Sequence, residues 1–245
     1  MMLLRCIRGE NRKLRGSPIW LMFLAVPAIS AVYGSFNYKM NLEILTHGWY
    51  DLWTQYTLFY ALFFFGPMTG VYASYLWRLE HRGHNWNLIM TAPVRPFCLY
   101  FAKFCAVTKL TLLTQAWLLV LFTIGGRFWA GLDGFPPPEI VLWLLRGVIG
   151  SFAIIALQLL LSMVIRNFAL PVLIALGGSV LGLLAVGENG GLYWPYALMI
   201  LGMNSNKTED MMAGGLWGFF LSCAVFVTAF FLLANVLLTK RDVRA

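Results

Sequence analysis

The stretch Ile140–Ile165 reads IVLWLLRGVIGSFAIIALQLLLSMVI and contains one charged residue, Arg146. An apolar run of about 20 residues is long enough to cross the hydrocarbon core of a bilayer as an α-helix. Five further runs of this kind span residues 18–36, 54–77, 100–124, 169–187 and 216–238. The sequence therefore predicts an all-α integral membrane protein with six transmembrane helices in a single domain covering residues 1–245.

The composition favours the same class. Of the 245 residues, 60% are hydrophobic and 11% are charged, whereas an average soluble domain contains about 25% charged residues. In a soluble protein, the net charge of +8 would suggest nucleic acid as a binding partner. Here the cations flank apolar runs, so membrane lipid is the expected partner and nucleic acid is not.

The distribution of cations predicts the orientation of the chain. Lysine and arginine are retained on the cytoplasmic side of membrane proteins. Thirteen of the eighteen lie on one side: they precede the first run, follow the last, or lie between the second and third or the fourth and fifth, with Lys103 counted at the very start of the third run. We therefore expect a multi-pass protein with both termini in the cytoplasm.

The basic N-terminal segment, residues 1–17, has a pattern of its own. Leu3, Ile7 and Leu14 fall near one helical face, which predicts an amphipathic helix lying at the membrane interface. Its basic residues are Arg5, Arg8, Arg12 and Lys13. A cleaved signal peptide is the competing interpretation, but the apolar run continues beyond the usual length of about 7 to 15 residues.

The predicted cytoplasmic segment 78–97 combines charged and apolar residues. Glu80 suits the first turn of a short helix that Pro93 would end. Exposed apolar residues among polar ones are typical of an anchor in a partner's groove. The candidate contact residues are Glu80, Arg82, Trp86, Asn87, Leu88 and Pro93. A basic loop lying on the lipid headgroups is the alternative interpretation.

The predicted outer segment 188–212 is not a simple connector. Its apolar stretch, residues 192–202, is too short to span a membrane, which favours a re-entrant or interfacial hairpin. The hairpin carries the aromatic residues Tyr193, Trp194 and Tyr196. Aromatic side chains of this kind also anchor proteins at the membrane interface.

Motifs for catalysis within this chain are missing from the sequence. No Gly-Lys pair occurs, so the phosphate-binding loop of nucleotide hydrolases cannot form. His81 and His84 are spaced like metal ligands, but no carboxylate or cysteine cluster accompanies them. We expect neither an enzyme, nor a metal site, nor a cofactor bound by this chain.

Two segments carry a family resemblance. The first is Glu10-Asn-Arg-Lys-Leu-Arg-Gly-Ser-Pro-Ile-Trp20, and the second is Glu80-His-Arg-Gly-His-Asn-Trp86 with Thr91-Ala-Pro93-Val and Lys103. In these segments the chain resembles a permease subunit of an ABC-2-type transporter. More narrowly, it resembles the lantibiotic-immunity and bacitracin-resistance exporters.

The resemblance implies a partner assembly. The permease would pair with a second permease, identical or homologous, and with two ATPase subunits that bind ATP and Mg. ATP energy would enter through a coupling helix in segment 78–97, and the outer hairpin would cap the exit, making Tyr193, Trp194 and Tyr196 outer gate candidates. The substrate would be an amphiphile, by analogy a membrane-acting peptide antibiotic expelled across a bacterial plasma membrane. An ATP-independent channel or carrier is the alternative function, and a membrane enzyme is a third.

Overall fold

The computed structural model of the chain describes residues 2–82, 94–212 and 214–240. Within these ranges the chain forms helices and loops without a β-strand, as predicted for an all-α protein. The α-helices are α1 (Met2–Leu14), α2 (Ile19–Met40), α3 (Trp49–Phe59), α4 (Phe65–His81), α5 (Pro96–Ile124), α6 (Pro138–Val164), α7 (Ala169–Gly187), α8 (Ala197–Gly202) and α9 (Gly215–Lys240). Two π-helical turns, Tyr60–Phe64 and Gly125–Trp129, join α3 to α4 and extend α5.

Five of these helices are long and apolar enough to cross a membrane. They are α2, α5 with its π-helical extension, α6, α7 and α9. Their bounds lie within a few residues of five of the predicted runs, and those of α7 coincide with the prediction. Because apolar length alone predicts these helices, the sequence located them well.

The run at 54–77 behaves differently from the other five. The chain is helical without interruption from Trp49 to His81, and its π-helical turn ends at Phe64, one residue short of Gly66-Pro67. Proline cannot donate the usual helical hydrogen bond, and π-turns are one way in which helices accommodate such an interruption. Large side chains along this helix, including Trp53 and Tyr72, are fully buried. It forms the centre of the bundle, and its crossing of a membrane remains a prediction.

The helices run alternately between two ends of the bundle. At one end lie the start of α2, the end of α4, the start of α5 and the link between α6 and α7. We call this the basic end, because it carries four arginines: Arg78, Arg82, Arg95 and Arg166. At the opposite end lie the connections after α2, α5 and α7. Close contacts confirm the pairing, since His81 reaches Ser162 at the basic end and Trp49 reaches Asp133 at the opposite end.

The segment after α7 folds back into the bundle from the opposite end. Its helix α8 is buried along its whole length and packs against α6, where a Cβ atom on Gly150 would lie 2.4 Å from the Leu198 carbonyl oxygen. Glycine therefore permits direct contact between the two backbones. The Trp53 indole secures the end of α8 by donating a hydrogen bond to the Met203 carbonyl at 3.0 Å.

An ion pair holds the outer part of this segment. Arg146, the charged residue inside the predicted fourth span, donates to Asp210 at 2.9 Å. Burial alone would raise the pKa of the Asp210 carboxyl, but the hydrogen bond and charge of Arg146 outweigh it and lower the pKa. The guanidinium is thus paired near the end of its helix, which reduces the cost of a charge in an apolar run.

Candidate functional site at the basic end

Four charged side chains meet where α1, α4 and α5 converge. The Lys103 ammonium in α5 lies 3.0 Å from a Glu10 carboxylate oxygen and 2.8 Å from a Glu80 carboxylate oxygen. Lys13 lies 2.6 Å from the other Glu10 oxygen and also pairs with Glu80. We call these residues the ion cluster; its two cations and two anions sum to zero formal charge.

Three of the four members of the ion cluster are deeply buried, whereas the Lys13 side chain is 30% exposed. The Lys103 side chain is 0% exposed, and the Glu10 and Glu80 side chains are 3% and 4% exposed. Lys103 also donates to the Leu76 carbonyl at 3.2 Å and lies 4.8 Å from the centroid of the Trp77 ring. A buried ammonium needs such partners, because an unpaired charge in the interior costs several kcal/mol.

Local sequence places each member of the cluster. Glu10 and Lys13 share one face of α1 because residues three apart are neighbours on a helix. Glu80 stands in the last turn of α4. Lys103 follows Pro96, which starts α5 at a position where proline's missing N–H costs nothing. The ends of the two helices that flank segment 83–93 are thereby joined to the N-terminal helix.

Electrostatics keep Glu80 and Lys13 charged. Burial would raise the pKa of the Glu80 carboxyl, but the ammonium groups of Lys103 and Lys13 outweigh it and lower the pKa. Burial would lower the pKa of Lys13, but Glu10 and Glu80 outweigh it and raise the pKa. Glu80 therefore stabilises the fold above its unfolded pKa of about 4.3, and Lys13 below its unfolded pKa of about 10.4.

These shifts predict a wide pH plateau. The contribution of Glu80 is lost as pH falls through its lowered pKa, and that of Lys13 is lost as pH rises through its raised pKa. The contribution of these two residues to unfolding stability should therefore be constant from about pH 5 to pH 9. Comparing thermal unfolding of the wild type and of Glu80→Gln across this range tests the prediction; a difference that titrates inside it would contradict the assignment.

One sequence prediction about the cluster residues is wrong. Glu80 was expected in the first turn of a short helix but lies in the last turn of α4, which continues to His81. The carboxylate is tolerated there because two lysines neutralise it. Lys13 lies on the N-terminal helix, and its side chain turns inward to Glu10 and Glu80.

The other predicted residues at this end are placed as follows. Arg5, Arg8 and Arg12 are exposed on α1, opposite the face that contacts α5. Arg82 is exposed just after α4. The remaining predicted contact residues lie outside the described residues; they are Trp86, Asn87, Leu88 and Pro93.

The three aromatic residues of the outer segment do not form one exposed group. Tyr193 is 82% exposed. Trp194 donates a hydrogen bond to the Gly178 carbonyl at 2.8 Å, and Tyr196 is buried and accepts one from Gln158 at 2.5 Å. Of the three, only Tyr193 is exposed, whereas the other two attach the segment to α6 and α7.

Comparison with known families gives the ion cluster a context. Residues 6–182 match the family model described as ABC-2 family transporter protein. The chain belongs to this family. Its membership and its apolar helices indicate a multi-pass membrane component of an ABC transporter, and membership implies an ABC ATPase subunit as partner. Neither the curated proteins nor the solved structures gave a match to the chain.

The extent of the ABC-2 match is informative. It includes all four members of the ion cluster and the segment 83–93, and it ends before the segment that carries α8. Family membership therefore bears on the basic end of the bundle. The outer segment and α9 have to be interpreted from their own contacts.

Sequence reasoning missed the cluster as a unit, although a signal was present. Seven of the ten carboxylates fall in the predicted outer loops, and Glu10 and Glu80 are two of the three acids among the cations of the predicted cytoplasmic side. Isolated acids in a basic apolar setting are candidates for buried pairing. Which lysines they would meet depended on how α1, α4 and α5 pack.

Proposed function

We propose that this chain is the permease subunit of an ATP-driven exporter and that the ion cluster transmits motion from the ATPase to the membrane helices. The supporting observation is that Lys103 and Lys13 connect α1 to the end of α4 and the first turns of α5, the two helices on either side of segment 83–93 in the sequence. In this proposal the segment contacts a separate ATPase chain, which binds ATP and Mg and hydrolyses the nucleotide. This chain contributes no catalytic residue.

Coupling between the ATPase and the membrane helices requires a rigid connection between segment 83–93 and those helices. Displacement of segment 83–93 would act on the end of α4 and the start of α5 together, because Glu80 and Lys103 are paired at 2.8 Å. Glu10 and Lys13 would carry the same displacement to α1. Interlocked buried charges resist separation, since parting them exposes unpaired charge to an apolar interior.

The finer assembly is also part of the proposal. Two ATPase subunits would serve two permeases, identical or homologous, each with six spans and both termini in the cytoplasm of a bacterium. The substrate would be an amphiphilic molecule, by analogy a membrane-acting peptide antibiotic against which the exporter confers immunity. The outer segment would cap the exit. The described parts of the spanning helices carry no acidic residue in their apolar interior, which suits an uncharged or amphiphilic cargo better than an ion-coupled one.

The test is co-purification of the tagged chain with its ATPase from native membranes, followed by an assay of ATP hydrolysis. Trp86→Ala should remove the ATPase without preventing membrane insertion. Trp217→Ala is the matched control, because Trp217 is 88% exposed and lies on α9 at the opposite end. Glu80 is unsuitable for this purpose, since its burial would mix loss of association with loss of stability.

The outcomes separate the functions. A stoichiometric ATPase that is retained by Trp217→Ala and lost by Trp86→Ala supports the exporter. Purification of the chain alone, combined with solute movement in vesicles, would instead establish an ATP-independent channel or carrier.

The orientation gives a separate prediction. Phe135 is 85% exposed in the loop between α5 and α6, at the opposite end from Arg5 on α1. Phe135→Cys should react with a membrane-impermeant thiol reagent in intact cells, whereas Arg5→Cys should react only after permeabilisation. The native Cys6 and Cys98 lie near the basic end, so they give no outside signal in the proposed orientation. Labelling of Arg5→Cys in intact cells would show that the orientation is the reverse of the one proposed.

A further inference from the structure

A groove opens at the basic end between α2 and α4. It has a volume of about 250 Å³, and its inner wall is apolar, formed by side chains such as Met22, Val71 and Tyr75. Two arginines, Arg78 and Arg82, stand at its mouth. The groove thus combines a cationic rim at the end of the helices with an apolar floor that continues along them.

The two arginines have no carboxylate partner among residues 2–82, 94–212 and 214–240. The carboxylates described at this end of the bundle are those of Glu10 and Glu80, and both are occupied by Lys13 and Lys103. Arg78 rests against the Phe168 ring at 5.5 Å from its centroid, a contact that leaves its guanidinium hydrogen-bond donors free for an anion. The charge at the rim is therefore not neutralised within the bundle.

We propose that this groove binds one anionic phospholipid, with the phosphate between Arg78 and Arg82 and an acyl chain along the wall of Met22, Val71 and Tyr75. Guanidinium groups bind phosphate oxygens with good geometry. Basic pockets between membrane helices are suited to anionic headgroups. A free phosphate ion would use the rim but gain nothing from the apolar wall, so the shape of the groove selects a lipid.

The site adjoins the ion cluster without sharing a residue with it. Arg78 and Glu80 lie in the last turns of α4 on different faces, one toward the groove and the other toward Lys103. A bound lipid would therefore hold the outer face of the helix end whose inner face the ion cluster holds. This inference concerns the chain alone and does not depend on the ATPase partner.

The experiment measures lipid binding to the purified chain in mild detergent. Phosphatidylglycerol and phosphatidylcholine, each carrying the same labelled acyl chains, are titrated, and inorganic phosphate is added as a competitor. We expect a preference of about tenfold for phosphatidylglycerol, since each cation at an interface contributes modestly to anionic lipid binding. Arg78→Gln combined with Arg82→Gln should remove the preference, and Arg78→Lys should retain most of it.

Controls make each outcome decisive. Arg95→Gln removes the same charge at the same end but outside the groove, so it should keep the preference. Val71→Trp should weaken the binding of both lipids, because the larger side chain fills the apolar floor of the groove. Any one of three outcomes overturns the proposal. These are equal binding of the two lipids by the wild type, an unchanged preference in the double variant, and displacement of phosphatidylglycerol by millimolar inorganic phosphate. The wild-type comparison stands even if a variant fails to fold.

Discussion

Lys103→Met should lower the free energy of unfolding by about 3 kcal/mol, the largest effect we expect from any single charge. Methionine fills much of the same space but leaves Glu10 and Glu80 with Lys13 as their remaining cation. One buried carboxylate is then without compensation, because the cluster changes from zero to one net negative charge. Thermal or denaturant unfolding of the detergent-solubilised chain measures the change.

A rescue experiment separates charge from packing. Adding Glu10→Gln to Lys103→Met restores neutrality, leaving Lys13 paired with Glu80, and should recover part of the lost stability. Lys109→Met is the matched control, because Lys109 lies on the same helix and also contacts α1 through Asn11, but it is exposed. We expect it to change stability by less than about 0.5 kcal/mol. Equal losses for Lys103→Met and Lys109→Met would show that the cluster contributes nothing specific.

Gly150→Leu should displace α8 from the bundle, with a loss of more than about 3 kcal/mol. A Cβ atom at Gly150 would lie 2.4 Å from the Leu198 carbonyl oxygen and 2.9 Å from the Met199 nitrogen. Both neighbours are backbone atoms and cannot rotate away as a flexible side chain could. Hydrogen–deuterium exchange of residues 197–203, together with thermal unfolding, reports the displacement.

The control for this prediction is Gly177→Leu. Gly177 lies on α7 with no atom within 4 Å of the Cβ position, so the larger side chain meets open space. We expect near-normal stability and unchanged exchange of α8. If Gly177→Leu and Gly150→Leu behaved alike, the close contact of α6 and α8 would not explain the glycine at position 150.

Helix ends were predicted less well than helix positions. The end of α4 is the clearest example, because Arg78, Glu80 and His81 have the composition of a loop yet continue the helix. Their polarity is accommodated case by case: Glu80 by two lysines, His81 by the Ser162 carbonyl, and Arg78 by exposure beside Phe168. None of these partners is a sequence neighbour, so local composition gave the wrong boundary.

The outer segment, residues 188–212, also combines a feature that the sequence predicted with one that it did not. Its apolar stretch was too short to span, so a hairpin was predictable, whereas the burial of Tyr196 was not. Tyr196 packs over Gly178, and its hydroxyl meets Gln158 on another helix. An aromatic residue near a predicted interface reads as a surface anchor until the packing of α7 and α6 is known.

The sequence by itself determined the membrane class, the positions of five apolar helices and the resemblance to ABC-2 permeases, because each depends on composition or on short contiguous motifs. Tertiary structure decided which charges are buried together. Glu10 and Lys103 are 93 positions apart, and Lys13 and Glu80 are 67 apart. A lysine in a basic segment looks the same in sequence whether it faces solvent or a buried carboxylate. Only the packing of α1 against α4 and α5 removes water from Glu10, Glu80 and Lys103 and makes their pairing obligatory.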